Sequence, residues 1–152
     1  MKIVQGDLIK LALDGAFDII VHGCNCFNAM HAGVARQVAH SFPEAQEADN
    51  ATKKGDKAKL GTITVAVIPR AEKSVAVVNA YTQYDYGCGG VYVDYDAVRK
   101  VMKEIKFRFA GERIGYPKIG AGLAGGNWEK IAKIIDEELQ GEDHTLVEYA
   151  PR

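Results

Sequence analysis

Cysteine is scarce in this chain, with three among 152 residues, Cys24, Cys26 and Cys88. A small odd number excludes the disulfide framework that holds small secreted domains together. Proline is scarce too, with four in all, so helices and strands can run without frequent interruption. Neither charge sign is in excess: 19 Lys and Arg stand against 20 Asp and Glu, for a net charge of −1. That excludes the basic footprint of a duplex nucleic-acid binder and a polybasic membrane patch. No apolar run approaches the ~18 residues of a membrane span. The opening MKIVQGDL reads as a strand and a turn, since no apolar stretch follows its basic start as in a signal peptide. These absences predict a cytoplasmic monomer without membrane or nucleic-acid partners. Cys24, Cys26 and His31 are a zinc candidate by residue type, but the spacing is not that of a finger and no second pair completes four ligands. The expectation is no metal and no cofactor, with small buried thiols.

What is present suits one domain over residues 1–152: 47% of the residues are hydrophobic, and a chain of this length buries most of its unfolded surface. Lys2 to Val4, Phe17 to His22, Thr62 to Ile68, Val75 to Tyr81, Arg113 to Ile119 and Thr145 to Ala150 read as strands. Between them lie helical segments. Val34, Val38 and Phe42 share one face, and Pro43 ends that helix. The charged PEAQEADNATKKG after it is helix-compatible and closed by Gly55. Asp94 caps a helix to about Ala110 whose stripe is Val98, Val101, Met102, Ile105 and Phe109. Asn127 caps another that carries Trp128, Ile131, Ile135 and Leu139 and stops at Gly141. Strands alternating with amphipathic helices predict a three-layer α/β/α fold around a mixed, largely parallel sheet. Ligands of such folds sit beyond the carboxyl ends of the strands.

Two loops follow a buried strand and lead into a helix: HGCNCFNAMHAGVA, His22 to Ala35, and IGAGLAGGNW, Ile119 to Trp128. Glycine lets the backbone press its N–H groups on a ligand, and a helix N-terminus favours an anion. Two such loops at one sheet edge predict a diphosphate site; tight turns are the alternative. GAGLAG, Gly120 to Gly125, matches the dinucleotide-binding G-x-G-x-x-G, and Glu148 lies near the place of its ribose-holding acid. Yet only a short tail follows, and the first loop would have no role. The match to the fingerprint is therefore coincidental, while the backbone–phosphate chemistry it stands for is expected here too. There is no G-x-x-x-x-G-K-[ST].

The order QGDL (Gln5 to Leu8), IIVHGCN (Ile19 to Asn25), MHAGVA (Met30 to Ala35), NAYTQ (Asn79 to Gln83) and YPKIGAGLAGGNW (Tyr116 to Trp128) resembles the macro domains that bind ADP-ribose. It is nearest to the branch with the yeast-type ADP-ribose 1''-phosphate phosphatase and the terminal ADP-ribose glutamate hydrolases. The resemblance spans nearly the whole chain. It implies an adenine site at Gly6, Asp7 and Leu8, with Asp7 accepting from the adenine amino group and Tyr149 stacking on the ring. It implies that Asn25 touches the distal ribose. The first phosphate loop would be Ala32, Gly33 and Val34, and the second Ile119, Gly120, Ala121, Gly122, Leu123 and Ala124, with Gln83 at a strand end beside them. The implied function is binding of ADP-ribose or a derivative, free or on a protein, and hydrolysis of ADP-ribose 1''-phosphate. The alternatives are a non-catalytic reader and an ADP-ribosyl or O-acyl-ADP-ribose ester hydrolase working through Asn25 and a water. Three departures stand out: His31 replaces a glycine, Ala124 stands where the glutamate hydrolases have aspartate, and YTQYDYG has no lysine for their covalent step.

For phosphate-monoester hydrolysis the candidate groups are His22 as acid or base, His31 as a second such group, Asn25, and Asp85 as a partner carboxylate. A core histidine and a turn aspartate are the structural alternatives for His22 and Asp85. The tyrosines of YTQYDYGCGGVYVDY suit a packed loop or a lid over the ligand.

Overall fold

The structure is a computed structural model, and it describes residues 1–150. The chain runs β1 (Lys2–Gly6), α1 (Leu8–Leu13), β2 (Ile19–Cys24), α2 (Gly33–Ser41), α3 (Pro43–Asn50), β3 (Ile63–Ile68), β4 (Val75–Tyr81), α4 (Tyr95–Phe109), β5 (Arg113–Tyr116), α5 (Trp128–Glu138) and β6 (Asp143–Tyr149). The six strands form one sheet in the order β1-β6-β5-β2-β4-β3. Every neighbouring pair is parallel except β3 with β4. The sheet is therefore mixed and largely parallel, with helices on both faces.

The two faces are filled by alternation along the central strands. Ile19 and Val21 of β2 join Val101, Met102 and Ile105 of α4 and Ile131 and Ile135 of α5 in one core. Ile20 turns the other way, to Val38, Phe42 and Ala45 of the α2–α3 layer. Side chains such as Ile131 and Ile135 are fully buried, and each such burial contributes roughly 1.5–3 kcal/mol. Asp18, just before β2, ties the start of that strand to the start of β5, accepting from the guanidinium and backbone N–H of Arg113 at 2.7–3.1 Å.

Local signals set the element ends. α4 and α5 begin where Asp94 accepts from Ala97 N and Asn127 from Lys130 N. β5 stops at Tyr116, three residues short of the expected Ile119, because Pro117 has no N–H for the ladder. α1 has no counterpart among the expected elements. It is only six residues long, too short to show a helical period, and it starts directly from Asp7 as its cap. No helix among the described residues is long and apolar enough to cross a membrane.

Candidate functional site

Because β1, β6, β5, β2 and β4 are mutually parallel, their carboxyl ends lie along one edge of the sheet. Beyond β2, β4 and β5 that edge opens into a cavity of about 750 Å³. Its walls come from three loops: residues 25–32 after β2, 82–93 after β4 and 117–127 after β5.

The first loop contributes Asn25, His31 and Ala32, and α2 contributes its first residues Gly33 and Val34. Asn25 braces the loop. Its Oδ1 accepts from Phe27 N at 2.9 Å and Ala29 N at 3.3 Å, and its Nδ2 donates to Ala29 O at 2.9 Å. One amide N–H of Asn25 is left for a ligand. The N–H groups of Gly33 and Val34 open α2 and have no acceptor among the described residues.

The second loop contributes Ile119, Gly120, Gly122, Leu123 and Ala124. It is cross-tied by Gly126 N donating to Gly120 O at 2.7 Å and Gly125 N to Gly122 O at 3.0 Å. The N–H groups of Gly120, Gly122, Leu123 and Ala124 have no acceptor among the described residues. The two loops meet over the cavity: a side chain at Gly33 would begin 3.9 Å from Leu123 Cδ1. Leu123 and Val34 are both exposed, and exposed apolar side chains at the rim of an N–H-lined cleft suit a ligand with charged and carbon-rich parts.

The third loop walls the far side with Gln83, Tyr86, Gly87 and Cys88. Tyr86 packs edge-on against His31 with ring centres 5.2 Å apart, and against Phe27 at 6.4 Å. The loop is docked on the second glycine loop, where Tyr92 N donates to Ala124 O at 2.7 Å. These contacts make the tyrosine-bearing segment a packed loop that forms one wall of the cavity. Among the described residues no aspartate or glutamate lines the cavity, and Lys118 is its one cation. Such a lining favours an anionic ligand.

Several expected site residues lie elsewhere. His22 is 2% exposed and does not line the cavity. Its Nε2 pairs with Asn79 Oδ1 at 2.6 Å, on the side of the sheet facing α3, where Asn79 Nδ2 donates to Ala45 O. Burial holds its pKa down at about 4, so at neutral pH it is an uncharged core group. The alternation of β2 turns it away from the cavity. Asp85 does not line the cavity either; its carboxylate accepts from its own loop at Tyr86 N, 2.8 Å away. Ala121 is in the second loop but off the cavity wall. Burial pushes the Cys24 thiol well up and the Cys26 thiol up as well, which keeps both as protonated, weak nucleophiles.

Gly6, Asp7, Leu8 and Tyr149 lie along the same edge but outside the cavity wall. Asp7 Oδ1 is committed to α1, accepting from Ile9 N at 3.0 Å and Lys10 N at 3.2 Å. Leu8 is buried under it. Tyr149, 67% exposed, is the register partner of Gly6, so Asp7 and Tyr149 are neighbours at the ends of β1 and β6. Sequence reasoning did not single out Gly23, Lys118 or Cys88 as cavity residues. Lys118 carried a signal, since it enters the second glycine loop; Gly23 and Cys88 carried none.

No family model matches the chain. A 17.5 kDa uncharacterized protein from the tk-vs intergenic region of Enterobacteria phage T4 is 33% identical over 156 residues, which covers 99% of this chain and 97% of that protein. Among solved structures, a protein of unknown function from Bacteroides thetaiotaomicron superposes with a TM-score of 0.81 at 25% identity, covering 97% of this chain and 98% of that one. The macrodomain of Thermus aquaticus DarG gives 0.73 at 23% identity, over 99% and 97% of the two chains. A Trypanosoma brucei macrodomain in complex with ADP-ribose gives 0.66 at 17% identity, over 96% of this chain and 62% of that one.

Proposed function

We propose that this chain, which belongs to one family with the 17.5 kDa phage T4 protein and has the macrodomain fold, binds ADP-ribose or a close derivative and hydrolyses it, with ADP-ribose 1''-phosphate as the first substrate to test. The observation that carries the binding is the pair of strand-to-helix loops with free N–H groups on one cavity of about 750 Å³. Those groups match the oxygens of a diphosphate, and backbone donors at helix starts need no metal to hold an anion. That a macrodomain of the same fold is solved with ADP-ribose supports the choice of ligand. In this reading the diphosphate crosses between the two loops, the distal ribose lies toward Asn25 and the third loop, and the adenosine runs along the sheet edge toward Asp7 and Tyr149.

For turnover, His31 replaces His22 as the acid–base group, because His31 lines the cavity and His22 does not. Water would attack phosphorus and leave its proton on the phosphate that departs, the bond from phosphorus to the C1'' oxygen would break, and the protonated imidazole of His31 would supply the proton to the departing sugar oxygen and regain one from solvent. The loop N–H groups would carry the charge that builds on the phosphoryl oxygens. The test is phosphate release from ADP-ribose 1''-phosphate, with and without chelator, by the wild type and His31→Ala. Chelator-resistant release that falls at least tenfold in the variant is expected; equal release from both removes His31 from the reaction. A second reading, a non-catalytic reader, is favoured by the lack of any lining carboxylate among the described residues. It predicts tight ADP-ribose binding with no release from the wild type.

A further inference from the structure

Lys59 is a buried charge that the cavity does not use. It ends a short 3₁₀ helix, Lys57–Lys59, ahead of β3; it is 7% exposed and does not line the cavity. Burying an ammonium is costly unless hydrogen bonds and a counter-charge offset its lost hydration. Lys59 Nζ donates to Asn28 Oδ1 at 2.6 Å and to Cys26 O at 3.1 Å. It also lies 5.0 Å from the centre of the Tyr81 ring, whose hydroxyl donates to the buried carboxylate of Asp49 at 2.8 Å. Both oxygens that accept from the ammonium belong to the loop that carries Asn25.

The contacts along that loop alternate. Lys59 holds residues 26 and 28. Residues 27 and 29 hold Asn25, since the N–H groups of Phe27 and Ala29 converge on Asn25 Oδ1 at 2.9 and 3.3 Å. Asn28, between those two donors, has φ +56° and is the one non-glycine residue with a positive φ among the described residues. Such a conformation persists where the surroundings over-determine it. Here Asn28 Nδ2 donates to Thr52 O at 3.0 Å, and Asn28 Oδ1 accepts from Thr52 Oγ1 at 3.3 Å as well as from Lys59. The ammonium makes the shortest and the one charge-assisted bond of this set. Removing it frees the Asn28 turn, and with it the two N–H groups that set the angle of the Asn25 amide.

We infer that Lys59 is a positioning residue for the distal end of the ligand, acting through the Asn28 turn to aim the free N–H of Asn25 into the cavity. The inference rests on the ADP-ribose reading above, in which the distal ribose lies toward Asn25. Lys59 touches no ligand atom, so its whole effect on binding must pass through Asn25. That separates it from a lysine that only holds the fold together, whose loss would weaken every ligand of the cavity alike.

The test is calorimetric titration of ADP-ribose and of ADP, which lacks the distal ribose, into the wild type, Lys59→Met, Asn28→Gly, Asn28→Asp, Asn25→Ala and the Lys59→Met/Asn25→Ala double variant. Thermal melts check that each is folded. Lys59→Met is expected to bind ADP-ribose about tenfold more weakly, the size of one well-placed hydrogen bond, and ADP within about twofold of wild type. Asn28→Gly tolerates the positive φ but offers Lys59 no acceptor, so it should show the same selective loss; it decides the matter should Lys59→Met fail to fold. Asn28→Asp keeps the acceptor and should bind ADP-ribose within about threefold of wild type. In the Asn25→Ala background, Lys59→Met should cost no further ADP-ribose affinity. An equal loss for ADP and ADP-ribose, a loss that persists in full in the Asn25→Ala background, or unchanged ADP-ribose affinity overturns the inference while the ADP-ribose reading stands. No binding of ADP-ribose by the wild type takes down both.

Discussion

The two glycine loops present the same kind of free N–H group in different mechanical states. The loop from β5 to α5 is tied at many points: Gly126 to Gly120, Gly125 to Gly122, Ala121 to Lys118, and Ala124 O to Tyr92 N and Val93 N. The loop from β2 to α2 is braced at its start by Asn25, but its business end is open. His31, Ala32, Gly33 and Val34 are all exposed, and Ala32 gives α2 no side-chain cap. Loops with few ties move at low free-energy cost. The difference teaches a division of labour under the proposed function: the second loop would hold its part of the ligand in a fixed place, and the first, with the His31–Tyr86 contact, is the part free to adjust.

The largest expected effect comes from breaking the tied loop. Gly125 has φ +71°, and a Cβ there would lie 2.1 Å from Gly90 O, a backbone atom that cannot step aside. Gly125→Ala should lower unfolding free energy by about 3 kcal/mol, from positive-φ strain and the clash together. It should also detach the third loop and abolish ADP-ribose binding. Urea denaturation and calorimetry check this; a wild-type-like variant would mean that the second loop is not rigid.

A smaller effect is expected under the loose loop. The first loop springs from β2, and β2 is held through buried, neutral His22. The folded pKa of about 4 lies below the ordinary 6.5, so the unfolded chain binds the extra proton between those values. The contribution of His22 is fully present above about pH 6.5 and is lost as pH falls toward 4, by on the order of 3 kcal/mol. Burial lowers the pKa of His144 as well, which acts in the same direction. His22→Gln, which can keep a neutral partner for Asn79, should therefore flatten the acid decline without removing it. Urea melts between pH 4 and 7 read this out. In hydrogen exchange, the amides of the first loop should lose protection before those of the second as pH falls; the reverse order would contradict the comparison.

The smallest effect tests the loose loop directly. Gly33 has φ +59°, but a Cβ there meets only Leu123 Cδ1, at 3.9 Å. Gly33→Ala should cost about 1 kcal/mol of stability from backbone strain alone and weaken ADP-ribose by several-fold rather than abolish binding. A loss as large as that of Gly125→Ala would show that the two loops are equally rigid.

The sequence carried the layer architecture because β2, β3 and β4 are short β-branched runs and α4 and α5 have clear apolar stripes. It carried the position of both glycine loops because glycine and the start of an amphipathic helix are local features. What it could not carry is which way a buried strand residue points. His22 and Gly23 are adjacent in FDIIVHGCN, yet one meets Asn79, 57 residues away, and the other opens on the cavity. When both faces of a strand are buried, hydrophobic alternation no longer marks the faces. α1 was missed because six residues after a strand give no period to read.

The most direct test of the central claim is calorimetric titration of ADP-ribose into wild type and Gly122→Glu. Gly122 lines the cavity, its φ is ordinary, and a Cβ there meets nothing within 4 Å. The variant should fold and melt as wild type does while a carboxylate projects toward the phosphate space. The account predicts saturable binding by the wild type and at least a hundredfold loss in the folded variant, about 2.7 kcal/mol or more. Equal binding by both proteins, or none by the wild type, would contradict it.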